Sequence, residues 1–487
     1  MNQTNVKLFP HLTKKVVSDI TGFKLDAYLI ALEGWRRGLE LKWYKDETEV
    51  CKLDRLNSST QGKFFSLSSD SQVHYFFRSR GDKVANKTVR ICQDKEKTKD
   101  ILEKKGIPTP MGKVFNVDDE NVIRYASDVG FPVVIKPIKG SMGKGVYTNI
   151  QNKDELRNAI TDYRSRFKYT EFAVEKHYHG NEYRIYVVGD KVVGATNRIP
   201  ANVIGDGESS ITSLIKQKNK ERRKNPYLAP KPIKVDYEVL HMLKKAGYDK
   251  DSIPPKDDQV FLREKSNLSS GGDPIDATDQ LSDEIKQLAV DALKALPSIP
   301  HAGVDIIVDP TSKKKGVVLE ANATAEIAFH MFPLSGKPRD IPEAMIDYYF
   351  PETVRIKRSY FYFDFNSIIG PLKTWAAEVI EVPKSPSGYI YAKKYTASGK
   401  VQNVGYMNWI RRQALKRNLS GYSQKLEDNK VEIVVASTNQ KDVDEFVELC
   451  YKGSKKSRVD DVLQQQWKID NPLKIGFEMV IDNKREK

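Results

Sequence analysis

Apolar residues recur three and four apart in LDAYLIALEGWRRGLE (25–40), the spacing of one helix face, so a buried helix is expected there. Short runs rich in aromatic and β-branched residues follow, LKWYK (41–45) and VHYFFRS (73–79), and read as strands. Together they make residues 1–90 a small α/β unit in which nothing looks catalytic. Another helix is expected near Asp94 in DKEKTKDILEKKG, with Asp94 as N-cap and Gly106 as its stop, before the prolines of GIPTP (106–110). From 111 to 350 strands and helices alternate in α+β fashion, broken by a polar stretch at KQKNKERRKNPYLAPKP (216–232). The last unit reads strand, helix, strand, strand, helix: YIYAKKY, YMNWIRRQALKRN (406–418), GYSQKL (421–426), KVEIVVAS (430–437) and VDEFVELCYKG (443–453). The expected organisation is therefore 1–90, an N-terminal α/β domain; 91–352, a central domain; 353–385, a linker; and 386–487, a C-terminal domain.

Charge changes this picture only a little. Lysine and arginine outnumber aspartate and glutamate by 80 to 65, a net charge of +15 that favours anionic partners. The basic run Lys216–Lys224 lacks interleaved aromatics, so it is read as a solvated loop or a funnel for an acidic substrate, and nucleic acid is not the expected partner. Cys51, Cys92 and Cys450 are odd in number and far apart, which gives neither a disulfide framework nor a metal cluster. The start has no signal-peptide core, and no run reaches the roughly 18 apolar residues of a membrane span. A cytoplasmic protein is expected.

Candidate chemistry lies between Lys136 and Asn322. Lys136 closes the apolar run VVIKP (133–137), where its ammonium can pair with phosphate at a strand end. The loop KGSMGKG (139–145) follows, and glycines at 140, 143 and 145 let backbone amides approach phosphate oxygens. Far downstream, GVDIIV (303–308) and GVVLEANA (316–323) read as two strands joined by DPTSKKKG (309–316). With a period of two, Glu320 and Asn322 share a face that Asp305 can oppose, a set of oxygen donors suited to magnesium bound with nucleotide phosphates.

With FAVEKHYHGNEYRIYVVGDKVVGATNRIPANVIGDGESSI (172–211) and VFLREKSNLSSGGDPIDATD (260–279), these residues resemble the ATP-grasp superfamily of carboxylate–amine ligases. Within it they look like cyanophycin synthetase and the glutathione-synthetase part of the bifunctional glutathione enzyme, over about residues 85 to 350. The resemblance implies an ATP-grasp fold that uses ATP and Mg2+, with Mn2+ as an alternative. It places Lys95 and Lys136 on ATP phosphates under a lid containing Lys139, Gly140, Ser141, Gly143 and Gly145. It places Glu175 and the backbone near Tyr178 at the adenine, Glu182 at the ribose, and Asp305, Glu320 and Asn322 at the metal. Arg263 and Asn267 would face the acyl phosphate, with Arg184 and Arg198 in the same cleft. The implied activity is amide formation between a small carboxylate and an amine, amino acids or a short peptide, through an acyl phosphate; a homo-oligomer is compatible with it.

One departure concerns the substrate. After Asn322 the related ligases read proline–glycine, whereas this chain has Ala325 and Glu326, with His330 keeping its offset. Glu326 is expected either to pair with a cationic amine near the acceptor site or to cap the following helix.

TASGKVQNVGYMNWIRRQALKRNLSGYSQK (396–425) and KGSKKSRVDDV (452–462) resemble an acylphosphatase, which implies a ferredoxin-like βαββαβ domain. Met407 stands where that family's phosphate-binding arginine belongs, Lys425 where its water-orienting asparagine belongs, and Asn403 replaces a loop glycine. The expectation is a degenerate module. Two alternatives to the ligase remain: a regulatory protein that binds nucleotide or anion without turnover, and an acyl-phosphate hydrolase working through the C-terminal domain.

Overall fold

The computed structural model describes residues 6–45, 53, 61–138, 145–167, 170–468 and 471–480. The first helix, Phe23–Arg36, is buried on nearly every face because its turns carry Leu25, Tyr28, Leu29, Ile30, Leu32 and Trp35. It lies on a five-stranded sheet ordered Val379–Val382, Glu40–Tyr44, Phe64–Ser68, Val73–Phe77 and Arg80–Gly81. The outermost strand of that sheet comes from the segment read as a linker. Its register, Leu41 opposite Val382 and Tyr44 opposite Val379, is antiparallel.

Residues 353–385 are therefore not a free linker. The aromatic run ending in Phe363 and Phe365 packs around Tyr28, Trp35 and Trp43 at centroid separations of 5.1–5.5 Å. The Tyr28 hydroxyl donates to the Phe363 carbonyl (3.0 Å), and the Trp35 indole N–H to the Pro383 carbonyl (2.7 Å). An apolar aromatic segment left in water would lose on the order of 2 kcal/mol per large side chain, so it folds back onto the nearest apolar surface.

The central region has two sheets. One is ordered Gly112–Asn116, Glu171–Lys176, Val133–Pro137, Tyr147–Ile150, and is covered by the helices Val122–Val129 and Lys153–Asp162. The other is antiparallel, ordered Asp273–Asp276, Lys191–Ile199, Asn181–Val188, His301–Val308, Gly316–Asn322, and packs on the helix Asp283–Ala295. Asp94 caps the helix Lys95–Lys104 by accepting the Lys97 amide (3.2 Å).

Between these sheets in sequence, the strands Asn202–Ile204 and Gln259–Phe261 and the helices Ile211–Arg222 and Tyr237–Lys245 share a small core of their own. Most of the basic run is a helix rather than a loop, while Lys216, Lys220, Arg223 and Lys224 stay exposed. Lys216 to Arg222 are helical, and Lys218 and Arg222 turn inward to Asp273, with Nζ–Oδ2 at 2.5 Å and Nη1–Oδ1 at 2.8 Å. Asn202 donates to the same carboxylate (3.0 Å). A buried acid shared by two cations and an amide accounts for charges that composition alone assigns to solvent.

The C-terminal domain is a five-stranded sheet ordered Arg458–Gln466, Tyr391–Lys400, Val431–Ser437, Ser420–Lys425, Phe477–Val480, with the helices Tyr406–Lys416 and Phe446–Lys452 on one face. Its other face meets the N-terminal core through Ala392 and Ala436, and Leu473–Lys474 pairs in parallel with Phe361–Tyr362. Among the described residues no helix is long and apolar enough to cross a membrane.

Candidate active site

Val133 and Ile135 are fully buried, which turns Lys136 to the other face of its strand. Val134 pairs with Glu175 on the neighbouring strand, so Lys136 and Glu175 are diagonal neighbours, and Nζ lies 2.7 Å from Oε2. Glu175 is only 4% exposed, and a buried carboxylate needs such a partner. Tyr178 is half-buried in the connection to the strand Asn181–Val188. Lys139, Gly140, Ser141 and Gly143 lie outside the described residues; Gly145 accepts a hydrogen bond from the Tyr163 hydroxyl at its carbonyl.

The second sheet carries a transverse row of side chains. Strand register sets Thr196 opposite Arg184, Arg184 opposite Asp305, and Asp305 opposite Glu320. Arg184 grips Asp305 with both Nε and Nη2, the latter at 2.7 Å, and Arg198 reaches the same carboxylate at 2.9 Å. Glu320 accepts from the Asn322 amide (2.8 Å) and has Lys95 Nζ at 3.7 Å. Gly303, next to Asp305, makes room for the row: a Cβ there would sit 2.7 Å from the Arg184 side chain and 2.7 Å from Ala325.

Electrostatics follow from this crowding. Burial opposes the Asp305 charge, but Arg184 and Arg198 override it and hold the carboxyl well below its ordinary range. Burial likewise opposes the Arg184 charge, while Asp305, with Glu320 and Glu182 behind it, keeps the guanidinium above its usual value. Arg198 also donates to Glu182, whose other oxygen accepts from Ser266. Ser266 thus ties the NLSSGG segment to the cleft.

Other predicted residues are engaged elsewhere. The Arg263 fork goes to Asp236 (2.5 Å) and Glu238, and its Nε to the Ser270 carbonyl (3.0 Å), so its donors are taken by the first turn of the helix Tyr237–Lys245. Asn267 Oδ1 accepts from the Ser269 amide (3.1 Å) and hydroxyl (2.9 Å), capping a short turn. His330 is 1% exposed and shares its Nδ1 with the Thr196 hydroxyl (2.9 Å). Burial first, then Arg184, lowers its pKa to about 3, which keeps the ring neutral.

Glu326 accepts from the Tyr227 hydroxyl (2.8 Å) and lies 3.6 Å from Lys231 Nζ. It does not cap the next helix: the amides of Ile327 and Ala328 go to Asp26 of the first helix, both at 3.0 Å. Sequence reading missed Asp26, Arg78, Tyr227, Lys231 and Ser266; for Asp26 the available signal was an acid directly before the apolar run AYLIAL.

Two carboxylates with an amide oxygen beside them are hard oxygen donors of the kind that hold magnesium through one or two carboxylates plus substrate phosphates. Among the described residues no group of three or more His, Cys, Asp or Glu side chains is placed to hold a metal ion by itself.

The corresponding loop of the C-terminal domain is occupied by its own side chains. Lys425 donates to Asn403 Oδ1 (2.8 Å), and Gln402 donates to the Leu426 (2.7 Å) and Lys430 (2.8 Å) carbonyls. Met407 packs against the domain core.

Comparisons with known proteins agree with both halves. Residues 92–211 match the RimK-like ATP-grasp domain, and residues 393–479 match Acylphosphatase. Cyanophycin synthetase of Synechocystis sp. is 36% identical over 270 residues, 54% of this chain and 31% of the relative. The bifunctional glutathione biosynthesis protein of Clostridium perfringens is 32% identical over 337 residues, 67% of this chain and 41% of the relative. A crystal structure of the bifunctional glutathione synthetase from Pasteurella multocida superimposes with a TM-score of 0.47 at 30% identity, covering 61% of this chain and 41% of that one. The chain thus spans about a third to two fifths of the length of the curated relatives it matches. It carries a RimK-like ATP-grasp domain joined to an acylphosphatase domain.

Proposed function

We propose that the protein is an ATP-dependent carboxylate–amine ligase. The observation that carries this reading is the row Arg184–Asp305–Glu320 with Asn322 beside it and Lys95 facing it. It joins oxygen donors for a divalent cation to fixed cations for an anionic substrate.

A donor carboxylate oxygen attacks the γ-phosphorus of ATP, forming an acyl C–O–P linkage and releasing ADP. The amine nitrogen then attacks the acyl carbon; the C–N bond forms, the C–O bond to phosphate breaks, and the nitrogen gives up a proton. Lys95 and Lys136 bind phosphate oxygens, Glu175 and the backbone at Tyr178 hold the base, and Glu182 holds the ribose. Arg184 and Arg198 keep Asp305 ionised, so that it, Glu320 and Asn322 can bind Mg2+, or Mn2+ in its place. When bound, that ion offsets negative charge on the phosphates. On this reading Arg263 and Asn267 serve the acyl phosphate after Arg263 leaves Asp236 and Glu238. The substrates are small, amino acids or a short peptide, and the protein works in the cytoplasm where ATP is supplied.

The test is ADP release by the full chain with MgATP and pairwise combinations of the twenty protein amino acids, followed by mass analysis. The expected result is ADP formation that needs both members of a pair and yields a product at their summed mass less water. ADP release that no pair stimulates would count against the ligase.

A further inference from the structure

The chain that carries Glu320 and Asn322 runs on toward the N-terminal unit. Buried Ala321, Ala323 and Ala325 alternate along it with half-buried Glu320, Asn322 and Thr324, so its open face extends from the carboxylate row to Thr324. Two residues of extended chain span at most about 7 Å, so a small molecule held at Asn322 reaches Thr324. The turn of an N-terminal hairpin meets this end. Arg78 and Ser79 connect the strands Val73–Phe77 and Arg80–Gly81; the Ser79 hydroxyl donates to the Ala325 carbonyl (2.5 Å), and Arg78 Nη2 to the Thr324 carbonyl (3.3 Å).

Arg78 is 8% exposed, with its guanidinium 3.1 Å over the Phe23 ring, and the Thr324 carbonyl is the one hydrogen-bond acceptor its side chain has among the described residues. A buried cation ordinarily has an acid partner, and this one forms no ion pair among them. Asp26 spends Oδ1 on the amides of Ile327 and Ala328, and Glu326 its two oxygens on Tyr227 and Lys231. Burial lowers the Arg78 pKa by more than those two acids raise it. Nε is sealed without a partner, whereas Nη1, equally unpartnered, keeps contact with solvent. Arg78 also holds φ at 60°, a conformation that favours glycine, and strain of this kind collects at functional positions. More positive charge lies around it. The Arg78 amide donates to the Lys63 carbonyl across the hairpin (2.8 Å), and Lys24, next to Phe23 in sequence, makes no hydrogen bond or ion pair among the described residues. Burial first, then Arg78 and Lys24, lowers the Lys63 pKa, as like charges facing one another do.

We propose that Arg78, supported by Lys24 and Lys63, is an anion-binding residue of the acceptor site, taking the carboxylate of an amino-acid acceptor while the acceptor's amine faces the acyl phosphate. The proposal rests on the ligase reading and narrows it from amines in general to amines with a carboxylate close by. In an α-amino acid the two groups are separated by one carbon, which suits the short span from Asn322 to Thr324. Nη1 gives the carboxylate a charge-assisted hydrogen bond, and the anion offsets a group of cations that the chain itself leaves unbalanced.

The experiment compares acceptors on the full chain. With MgATP and the donor found in the pairwise screen, each of the twenty protein amino acids is offered beside its α-carboxamide, which keeps the amine and loses the negative charge. The expected result is a kcat/KM for the preferred acceptor on the order of 100-fold above that of its carboxamide, the worth of a charge-assisted hydrogen bond. Arg78→Gln should cut that preference below about threefold through the KM of the acid form, with the KM for ATP unchanged, and Lys24→Gln should lower it about three- to tenfold. The preference is a ratio taken on one preparation, so partial unfolding lowers both forms alike and leaves it where it was. A wild-type preference below about threefold, or one that Arg78→Gln leaves in place, overturns the proposal. If Arg78→Gln does not fold, Lys24→Gln decides by the same rule. If neither form of any acceptor yields amide with the wild-type chain, the ligase reading itself fails and takes the site with it.

Discussion

Two regions of this chain have frameworks suited to phosphate chemistry, and they differ in how their polar groups are used. In the ATP-grasp cleft, Asp305, Glu320, Glu182, Arg184 and Arg198 form a mutually neutralising network on an antiparallel sheet, faced by Lys95 at the start of a helix, with Glu320 still partly open to solvent. In the acylphosphatase domain the fold is complete, but Met407 offers no charge and Lys425 and Gln402 are tied to the loop and its neighbours. The helix and sheet pattern that builds a domain depends on many apolar positions, whereas its chemistry depends on two or three polar ones. The first can persist when the second is gone.

That contrast can be broken most severely at the carboxylates proposed to hold the metal. Glu320→Gln, chosen because its side chain is part-exposed and its loss strands no buried guanidinium, should lower ADP formation by about 100- to 1000-fold, measured by a coupled assay at saturating ATP. A change below about threefold would remove Glu320 from the chemistry. The same row should also hold the sheet together. Asp305→Asn leaves Arg184 and Arg198 facing a neutral amide, and denaturant unfolding should show a loss of about 3–5 kcal/mol. Loss below about 1 kcal/mol would mean that the row is not a buried ionic unit.

Acid should strike the buried histidines next. His301, between the Tyr186 and Tyr349 hydroxyls, and His330 are both lowered to about 3, chiefly by burial. Their folded pKa values lie below the unfolded 6.5, so the unfolded chain binds more protons between those limits. The stabilisation is fully present above pH 6.5 and falls as the pH drops toward 3, by about 3 kcal/mol per pH unit near pH 5 from the pair. Denaturant titrations at pH 5 and 7 measure this, and His301→Gln should remove about half of the slope. The smallest effect belongs to the other region: Met407→Ala and Lys425→Ala should leave ADP formation within about twofold, and the wild-type chain should hydrolyse benzoyl phosphate no faster than buffer. Hydrolysis that depends on Lys425 would erase the contrast.

What could be read from the chain follows from how local each signal is. Helical spacing at 25–40 and the period of two in GVDIIV and VVLEANA are local, and the cross-strand register of Asp305 with Glu320 follows once the hairpin is recognised. Lys218 and Arg222 look solvated until Asp273, some fifty residues later, is folded against them. The aromatic run near Phe363 looks like a connection because its partners, Tyr28 and Trp35, lie more than three hundred residues earlier. Arg263 has a family role in the sequence, yet its fork is held by two acids whose approach no spacing predicts. Asp26 shows in the sequence only as an acid among apolar helix positions; the amides it caps lie some three hundred residues later.

The central claim is that carboxylate activation proceeds through a mixed anhydride with phosphate. It is tested most directly by supplying the amino-acid donor with both carboxylate oxygens as oxygen-18 and analysing the released phosphate by mass spectrometry. The account predicts one oxygen-18 atom in each phosphate formed. Phosphate carrying none, while amide product accumulates, would contradict it.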